Sequence, residues 1–558
     1  MLNLNADGSP LTFNSALNGA DSHIWLASNA AELARWYDLK VWYPVHPHEK
    51  PAAIKATYYG PKVKEKQKTN RQTGETYIEH RVRGTLGGDR LAPFGLTSST
   101  TAESEVFKSF FNMVVSRDSL YFTMDIKDFY LGTDLPPEQQ VYVAVPLHHY
   151  TDDVLDKYNL RPYIHGDRII HKVVKSAFGL KNAGKLARDR LDIDCLNKAG
   201  YFEDAIVPCI YRHDTNGTIF VLVVDDFAVS CTTPEAKQHI IDTLRNAGYT
   251  IDIDHAGAKY CGLTIDYNRT DRFLDISMPG YVDKLLTRFH HRKIKPTDSP
   301  IIYTPPTYGV KAQLTAPPDD SDILTDNELL EVQAIIGAAL WYSRMVDVPT
   351  YPAVAMLTTD IGTRRSSIFP KIDRLLGHLK KFPNNKIRYH ASDMIYHCYS
   401  DVSYLSVSKG RSRAGGIGFF GWQNNPRRLN GPVSTISKVL DVVVSSACEG
   451  EYGAAYMVAR NAVWMRAIAR ALGYPQPPTT ILVDNTCAVG LANDTIKTAR
   501  TKAIDVRFHW LRDRVRQEQF NIVWCPTDAN KADFFTKALP VHEHLARQKD
   551  FVIVPPST

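Results

Sequence analysis

Two hydrophobic periods alternate along the chain, and the switches between them mark its elements. In WLASNAAELARWYDL, Trp25, Leu33 and Trp36 recur at near-helical spacing, which predicts a helix with one buried face and makes residues 1–50 a helical lead-in. The segments AAIKATYYGPKVKEKQK and ETYIEHRVRGTLGGDR are strand-like and rich in Lys and Arg. With RQTGE between them as a turn, residues 52–90 read as a basic two-stranded arm. From about 96 to 270, helices (SEVFKSFFNMVVSR, KNAGKLARDRLDIDCLNKAGY) mix with strands (LYFTMDIKDFYL, EQQVYVAVP). Residues 218–231, TIFVLVVDDFAVSC, read as a hairpin with two aspartates at or near its turn. PEAKQHIIDTLRNAGY predicts a helix from Pro234 that stops at Gly248.

Prolines at 296, 300, 305, 306, 317 and 318 make residues 296–320 a linker. The helix TDNELLEVQAIIGAALWYSRM follows, opened by the capping pattern Thr325…Glu328. Residues 391–558 start with the strand DMIYHCYSDVSYL and the Gly-rich strand GGIGFFGW, then alternate strands and helices. No internal repeat is visible. The fold class is multidomain: an α+β sheet domain followed by an α/β segment.

Composition narrows this picture. At about 100–200 residues per domain, 558 residues hold three or four domains. A hydrophobic content of 44% excludes a chain dominated by disorder, and a net charge of +6 permits a polyanionic partner. None of the eight cysteines has CxxC spacing, which argues against a zinc site or disulfide framework and for a reducing intracellular compartment. The N-terminal residues carry no basic-then-apolar pattern and the chain has no long apolar run, so neither a signal peptide nor a membrane span is expected.

The chemistry concentrates in carboxylates. Asp225 and Asp226 are adjacent between two apolar runs, and Asp125 ends a strand in MDIKDFYLG. Two strands of one sheet could unite all three. Such a cluster suits Mg²⁺, a hard cation that takes oxygen ligands, and a pair of ions about 3.5–4 Å apart suits attack of a hydroxyl on a phosphate. The alternative for Asp-Asp alone is a solvated hairpin turn.

In order and spacing these segments resemble the reverse transcriptase of copia-type LTR retrotransposons, from about Trp25 to Leu539. FTMDIKDFYLG is similar to the family's DVKTAFLNG, which implies that Asp125 is a metal ligand. It also implies that amides around Asp128 and Phe129 cradle a triphosphate, and that Tyr130 stands as an aromatic gate against a ribose 2′-OH. FGLKNAG is similar to the nucleotide-binding turn YGLKQSP, giving Phe178, Gly179 and, on the nucleic-acid side, Lys181. Gly184 replaces the family's proline. VVDD is similar to YVDD and makes Asp225 and Asp226 the catalytic pair, with Val223 in place of tyrosine. HRVRGTLGG resembles YKARLVAKG, so Arg81 and Arg83 are candidate phosphate contacts, against the alternative of a solvated strand face. YCGL stands where the family has its primer-grip hairpin.

In the second half Asp401 (CYSDVSYL), Glu451 (SSACEGEY), Asp484 (ILVDNTCAV) and Asp533 (ANKADFFTKAL) resemble the acidic positions of the same family's RNase H domain, in YSDADW, SSTEAEY, CDNQSAI and ADIFTK. Two of these end or nearly end strands and Glu451 opens an apolar helix, with Glu449 the runner-up. RTKAIDVRFHWLRDRV resembles RTKHIDIRYHFIRE, with Ala503 for histidine. It offers Arg500, Lys502, Arg507, His509 and Arg512 to nucleic acid, or else forms a charged helix face.

The resemblance implies a right-hand polymerase of fingers, palm and thumb, followed by a connection region and an RNase H-like domain. The expected boundaries are 1–50 for the lead-in, 51–295 for fingers and palm with the start of the thumb, 296–390 for linker and helical thumb or connection, 391–545 for the RNase H-like domain and 546–558 for a tail. The implied activity is RNA-directed DNA polymerisation with hydrolysis of the RNA in RNA/DNA hybrids. The implied cofactor is Mg²⁺, with Mn²⁺ as an alternative, two ions at each of the two carboxylate sets. The implied partners are an RNA template, a DNA primer, the hybrid and dNTPs, with no membrane and an open oligomeric state, in cytoplasmic particles, the nucleus or both. The alternatives are an inactive or domesticated nucleic-acid-binding descendant, and a nuclease whose first domain is scaffold only. The His pairs at 46/48, 148/149, 290/291 and 542/544 have no matching partners and read as surface or packing residues.

Overall fold

The computed structural model describes residues 11–69, 76–98, 100–305, 319–496 and 509–555. The chain divides into two units, one of residues 1–101, 125–202 and 238–252, the other of 102–124, 203–237 and 253–558.

In the first unit the helix Ser22–Asp38 buries Trp25, Leu33 and Trp36, the face its spacing predicts. Trp36 packs against Trp42 and Tyr59 at ring distances of 4.6 and 5.9 Å. Glu32, on the same helix, is buried and fully used. It accepts from the Trp36 indole (3.1 Å) and the Gly84 amide (3.1 Å), and Arg35 donates to it at 2.8 Å. The segment read as a helical lead-in ends instead in a strand, Trp42–Val45, because Pro44 cannot continue a helix and Trp42 and Val45 bury their side chains. That strand pairs with Arg168–Val173, which pairs with Val141–Pro146, which pairs with Thr57–Tyr58. The basic arm is the antiparallel pair Lys62–Thr69 and Thr76–Arg83. Its expected turn, RQTGE, lies outside the described residues.

In the second unit the helix Ser104–Arg117 is buried almost all round, with Phe107, Phe110, Phe111, Met113 and Val114 inside. Such a helix belongs at a core centre. The strands Leu120–Ile126 (this unit up to Met124), Asp226–Cys231, Ile219–Val223 and Ile210–His213 lie side by side in that order. The helix Asp326–Met345 carries the expected capping box, with Thr325 Oγ1 accepting from the Glu328 amide (3.3 Å) and Glu328 from the Thr325 amide (2.8 Å). Part of the proline-rich segment is docked rather than free. Thr297 donates to the Gly377 carbonyl (3.1 Å), and Arg374 to that of Ile301 (3.1 Å).

A further sheet of this unit runs Pro432–Val439, Arg411–Gly421, Ile395–Val407, Thr479–Val483, Phe520–Trp524. The first three are antiparallel and the last two parallel to the central strand. The helix Ala447–Ala471 packs on it. The glycines of GGIGFFG permit that closeness, since a Cβ on Gly416 would stand 2.6 Å from Val458 Cγ2 of the helix.

Asp347 is buried in this unit, accepts from Asn385 Nδ2 (2.9 Å) and leaves Oδ2 without a protein partner. Burial pushes its carboxyl up to about 7. A folded value above the unfolded one means stability that is present in acid and lost as pH rises through 7. Asp347→Asn should therefore raise the unfolding free energy at pH 8, by an amount on the order of 3–4 kcal/mol at most, and change little at pH 4. Denaturant unfolding at the two pH values measures the difference.

Candidate active sites

Three carboxylates meet in the second unit. Asp401 lies within the thirteen-residue strand Ile395–Val407, opposite Gly415. The strand expected over DMIYHCYSDVSYL holds, and pairing with Arg411–Gly421 carries it on to Val407. Asp484 directly follows Thr479–Val483, and the parallel register sets Val483 opposite Ser400, so the two aspartates share one level of the sheet. Glu451 is in the second turn of the overlying helix. One carboxylate oxygen each from Asp401, Glu451 and Asp484 lies within 4.8 Å of the others.

Asp401 and Glu451 are buried, and Glu451 Oε2 has no hydrogen-bond partner. Burial first, then the charges of Asp533 and Asp484, push the Asp401 carboxyl above its usual range; burial, then Asp401 and Asp484, do the same to Glu451. Three crowded carboxylates, one of them with an orphaned oxygen, are costly without a cation, and an all-oxygen set fits a hard divalent ion.

Asp533, in the short helical turn Lys531–Phe535, stands outside that trio. Lys537 (2.5 Å) and Arg547 (2.7 Å) hold its carboxylate. Glu449 is committed elsewhere, accepting from the Ser445 amide and hydroxyl, both at 2.7 Å, at the start of the helix. Thr536 Oγ1 donates to Asp401 Oδ2 at 2.9 Å and fixes its orientation. Sequence reasoning did not single out Thr536, Lys537 or Arg547. The first two follow Asp533 within FFTK, whereas Arg547 has no local signal. Of the basic segment, Arg500, Lys502 and Arg507 lie outside the described residues. His509 is exposed at the start of His509–Arg516, and Arg512 is paired with Asp494.

The aspartate hairpin of the second unit pairs Val223 with Asp226, leaving a two-residue turn of Val224 and Asp225. Val224 has φ +59°, a left-handed conformation that a β-branched residue reaches at a cost of about 1–2 kcal/mol. Asp225 occupies the second turn position and Asp226 opens the next strand, both half-buried. YCGL does form a hairpin, Tyr260 opposite Leu263, with Cys261 and Gly262 both at positive φ in a tight turn. Tyr260 donates to the Val221 carbonyl (3.1 Å), and the Cys261 thiol donates to Asp226 Oδ2 (3.7 Å), so the two hairpins are tied together. Burial, then the Asp226 charge, push that thiol far above its ordinary range.

Asp125 belongs to the first unit. Burial, then Asp252, push its carboxyl up, and Arg83 and Lys127 pull it down. The Arg83 guanidinium lies 4.9 Å over the Phe178 ring, and Tyr130 meets the same ring edge-on at 5.1 Å. Arg83 and Arg81 stand opposite Lys62 and Lys64 across the arm, four cations on one face, an arrangement that favours an anion. The amides of Asp128 and Phe129 donate to no protein acceptor among the described residues. Asp128 itself, at φ +60°, is paired with Arg35, which the sequence did not flag. Lys181 is exposed and donates to the Leu91 carbonyl (2.9 Å).

Gly179 has φ +98°, and a Cβ there would collide with the Leu86 carbonyl oxygen. Leu86 in turn donates to the Phe178 carbonyl at 2.7 Å. Gly179→Ala should cost about 2–4 kcal/mol in denaturant unfolding, from the forbidden φ and the backbone clash together.

Among the described residues no helix is long and apolar enough to cross a membrane, and the acidic trio is the one group placed to hold a metal ion. No family model matches the chain. It is 24% identical over 447 residues to the Retrovirus-related Pol polyprotein from transposon TNT 1-94 of Nicotiana tabacum, covering 78% of this chain and 31% of that protein. It is 26% identical over 423 residues to the corresponding polyprotein from transposon RE1 of Arabidopsis thaliana, covering 73% and 27%. The chain thus spans less than a third of the length of these relatives. Among solved structures, a foamy viral protease-reverse transcriptase in complex with an RNA/DNA hybrid aligns with 90% of this chain and 54% of its own, at 13% identity and a TM-score of 0.46. By sequence, the chain is similar to the Retrovirus-related Pol polyproteins from transposons TNT 1-94, RE1 and RE2.

Proposed function

We propose that the chain is an RNA-directed DNA polymerase of an LTR retrotransposon that also hydrolyses the RNA of RNA/DNA hybrids. The observation that carries the reading is the trio of buried Asp401, buried Glu451 and half-buried Asp484 with its orphaned Glu451 oxygen. In this reading residues 51–295 form fingers, palm and the start of the thumb, 296–390 the linker and connection, and 391–545 the RNase H-like domain. The relatives' description as Pol polyproteins supports it.

Each carboxylate set would hold divalent cations, two in this reading and Mg²⁺ by preference, and these would supply Lewis-acid stabilisation to the attacking and leaving oxygens. In the second half, Asp401, Glu451 and Asp484 bind, and Thr536 keeps Asp401 turned inward. Asp533, charge-balanced by Lys537 and Arg547, completes the acidic set at its rim. For the first half, the likeness of their motifs to the family's makes Asp125, Asp225 and Asp226 the carboxylate set of this reading. The strained Val224 turn presents Asp225, and Cys261 holds Asp226. Arg81 and Arg83 bind phosphate, and Tyr130, beside Phe178 and Gly179, reads the sugar. The free amides of Asp128 and Phe129 take the triphosphate, while Lys181, Arg500, Lys502, Arg507 and His509 face nucleic acid.

The test is a labelled DNA primer on an RNA template with dNTPs and Mg²⁺. The parent chain should lengthen the primer and shorten the RNA. Tight binding with neither reaction would instead favour the domesticated nucleic-acid-binding protein, and RNA cutting without extension would favour the nuclease.

A further inference from the structure

The sulfur atoms of Cys448 and Cys487 lie 2.7 Å apart. That is well inside the contact distance of unbonded sulfurs, and only roughly 0.6 Å from a disulfide bond length. The two residues are 39 positions apart, so no local turn forces them together. Cys448 sits on the first turn of Ala447–Ala471, three residues before Glu451. Cys487 sits on the first turn of Thr486–Ala492, three residues after Asp484. Of the eight cysteines, Cys487 is exposed, Cys448 and Cys261 are half-buried and the other five are buried. A dissolved oxidant therefore meets Cys487 first, with Cys448 already at its side.

We propose that Cys448 and Cys487 are an oxidative modification site, a reversible disulfide that staples the starts of the two helices bearing on the acidic centre. The co-reactant is a small disulfide such as oxidised glutathione. The Cys487 sulfur attacks one sulfur of the oxidant, and the first glutathione leaves as thiol with the Cys487 proton. The Cys448 sulfur then attacks Cys487, and the second glutathione leaves as thiol with the Cys448 proton. The balance is two protein thiols and one small disulfide to one protein disulfide and two small thiols. The link has a mechanical consequence. It closes a loop between two positions 39 residues apart, which removes conformational freedom from the unfolded chain. The closed form therefore resists unfolding, whichever reaction the centre performs.

The full-length chain is reduced, freed of reductant, treated with oxidised glutathione in EDTA, and digested without reduction. A peptide pair joined through Cys448 and Cys487, lost on adding dithiothreitol and absent from Cys448→Ser and Cys487→Ser, is the expected result. Cys448→Ser should keep a glutathione adduct on Cys487. In EDTA, oxidation should raise the unfolding midpoint of the parent by a few degrees and leave that of Cys448→Ser unchanged. A parent that stops at the Cys487 adduct, or that links Cys487 to another cysteine, overturns the site. A formed link with no rise in midpoint overturns the staple.

Discussion

Glu451→Gln lowers cleavage of an RNA/DNA hybrid by on the order of 10³-fold or more, and in EDTA the same substitution makes the chain harder to unfold. Both effects come from one carboxylate. Glu451 lies beside Asp401 and Asp484, and its Oε2 is buried and makes no hydrogen bond. A bound cation would use that carboxylate, and an amide in its place offers a weaker ligand with no charge. In the metal-free chain the opposite holds, since the carboxylate is desolvated and surrounded by like charge, which favours its neutral form. A carboxyl whose folded value is raised contributes stability in acid that disappears as pH climbs above the ordinary carboxylate range. Gln resembles the neutral form at every pH. The parent should therefore lose stability in EDTA between pH 5 and pH 8 and the variant much less, and saturating Mg²⁺ should remove most of the difference. Glu449→Gln is the matched control. It should cost about 1 kcal/mol through the bonds to Ser445, and spare cleavage. If Glu449→Gln abolishes cutting and Glu451→Gln does not, the two residues must exchange roles.

Glu449 and Glu451 also mark where the sequence stops being legible. Two residues apart on an apolar helix, they differ in direction by about 200°, yet nothing local says which direction is the centre. Contact with the sheet decides it, and that depends on Gly416 letting Val458 close. The strongly periodic helices and the capped Asp326–Met345 helix were readable because their signals are local. Trp42–Val45 was not, because a four-residue strand beside a helix has too short a period to declare itself. The partners that orient the carboxylates divide in the same way. Thr536 adjoins a motif, while Arg35 and Arg547 reach Asp128 and Asp533 through the fold. The nearness of Cys448 to Cys487 is likewise a product of helix packing, and the absence of CxxC spacing conceals it.

Asp225→Asn should reduce primer extension on an RNA template by on the order of 10³-fold while leaving hybrid cleavage within about twofold of the parent. The argument starts from the turn. A two-residue connection between Ile219–Val223 and Asp226–Cys231 forces its first residue to positive φ, a place suited to glycine, and Val224 occupies it at φ +59°. That strain buys a fixed direction for Asp225 and for Asp226, which Cys261 anchors from the next hairpin. Asn keeps the size and the turn, so the folded hairpin should survive and only the charge is lost. Val224→Gly supplies the complementary test. It should relieve about 1–2 kcal/mol of backbone strain, and so raise stability, yet slow extension if rigid placement of Asp225 matters. A more stable variant with parental extension would make the strain incidental. Parental extension by Asp225→Asn would remove the polymerase reading altogether, while the Asp401, Glu451 and Asp484 centre, more than 170 residues further along the chain, would keep its own test.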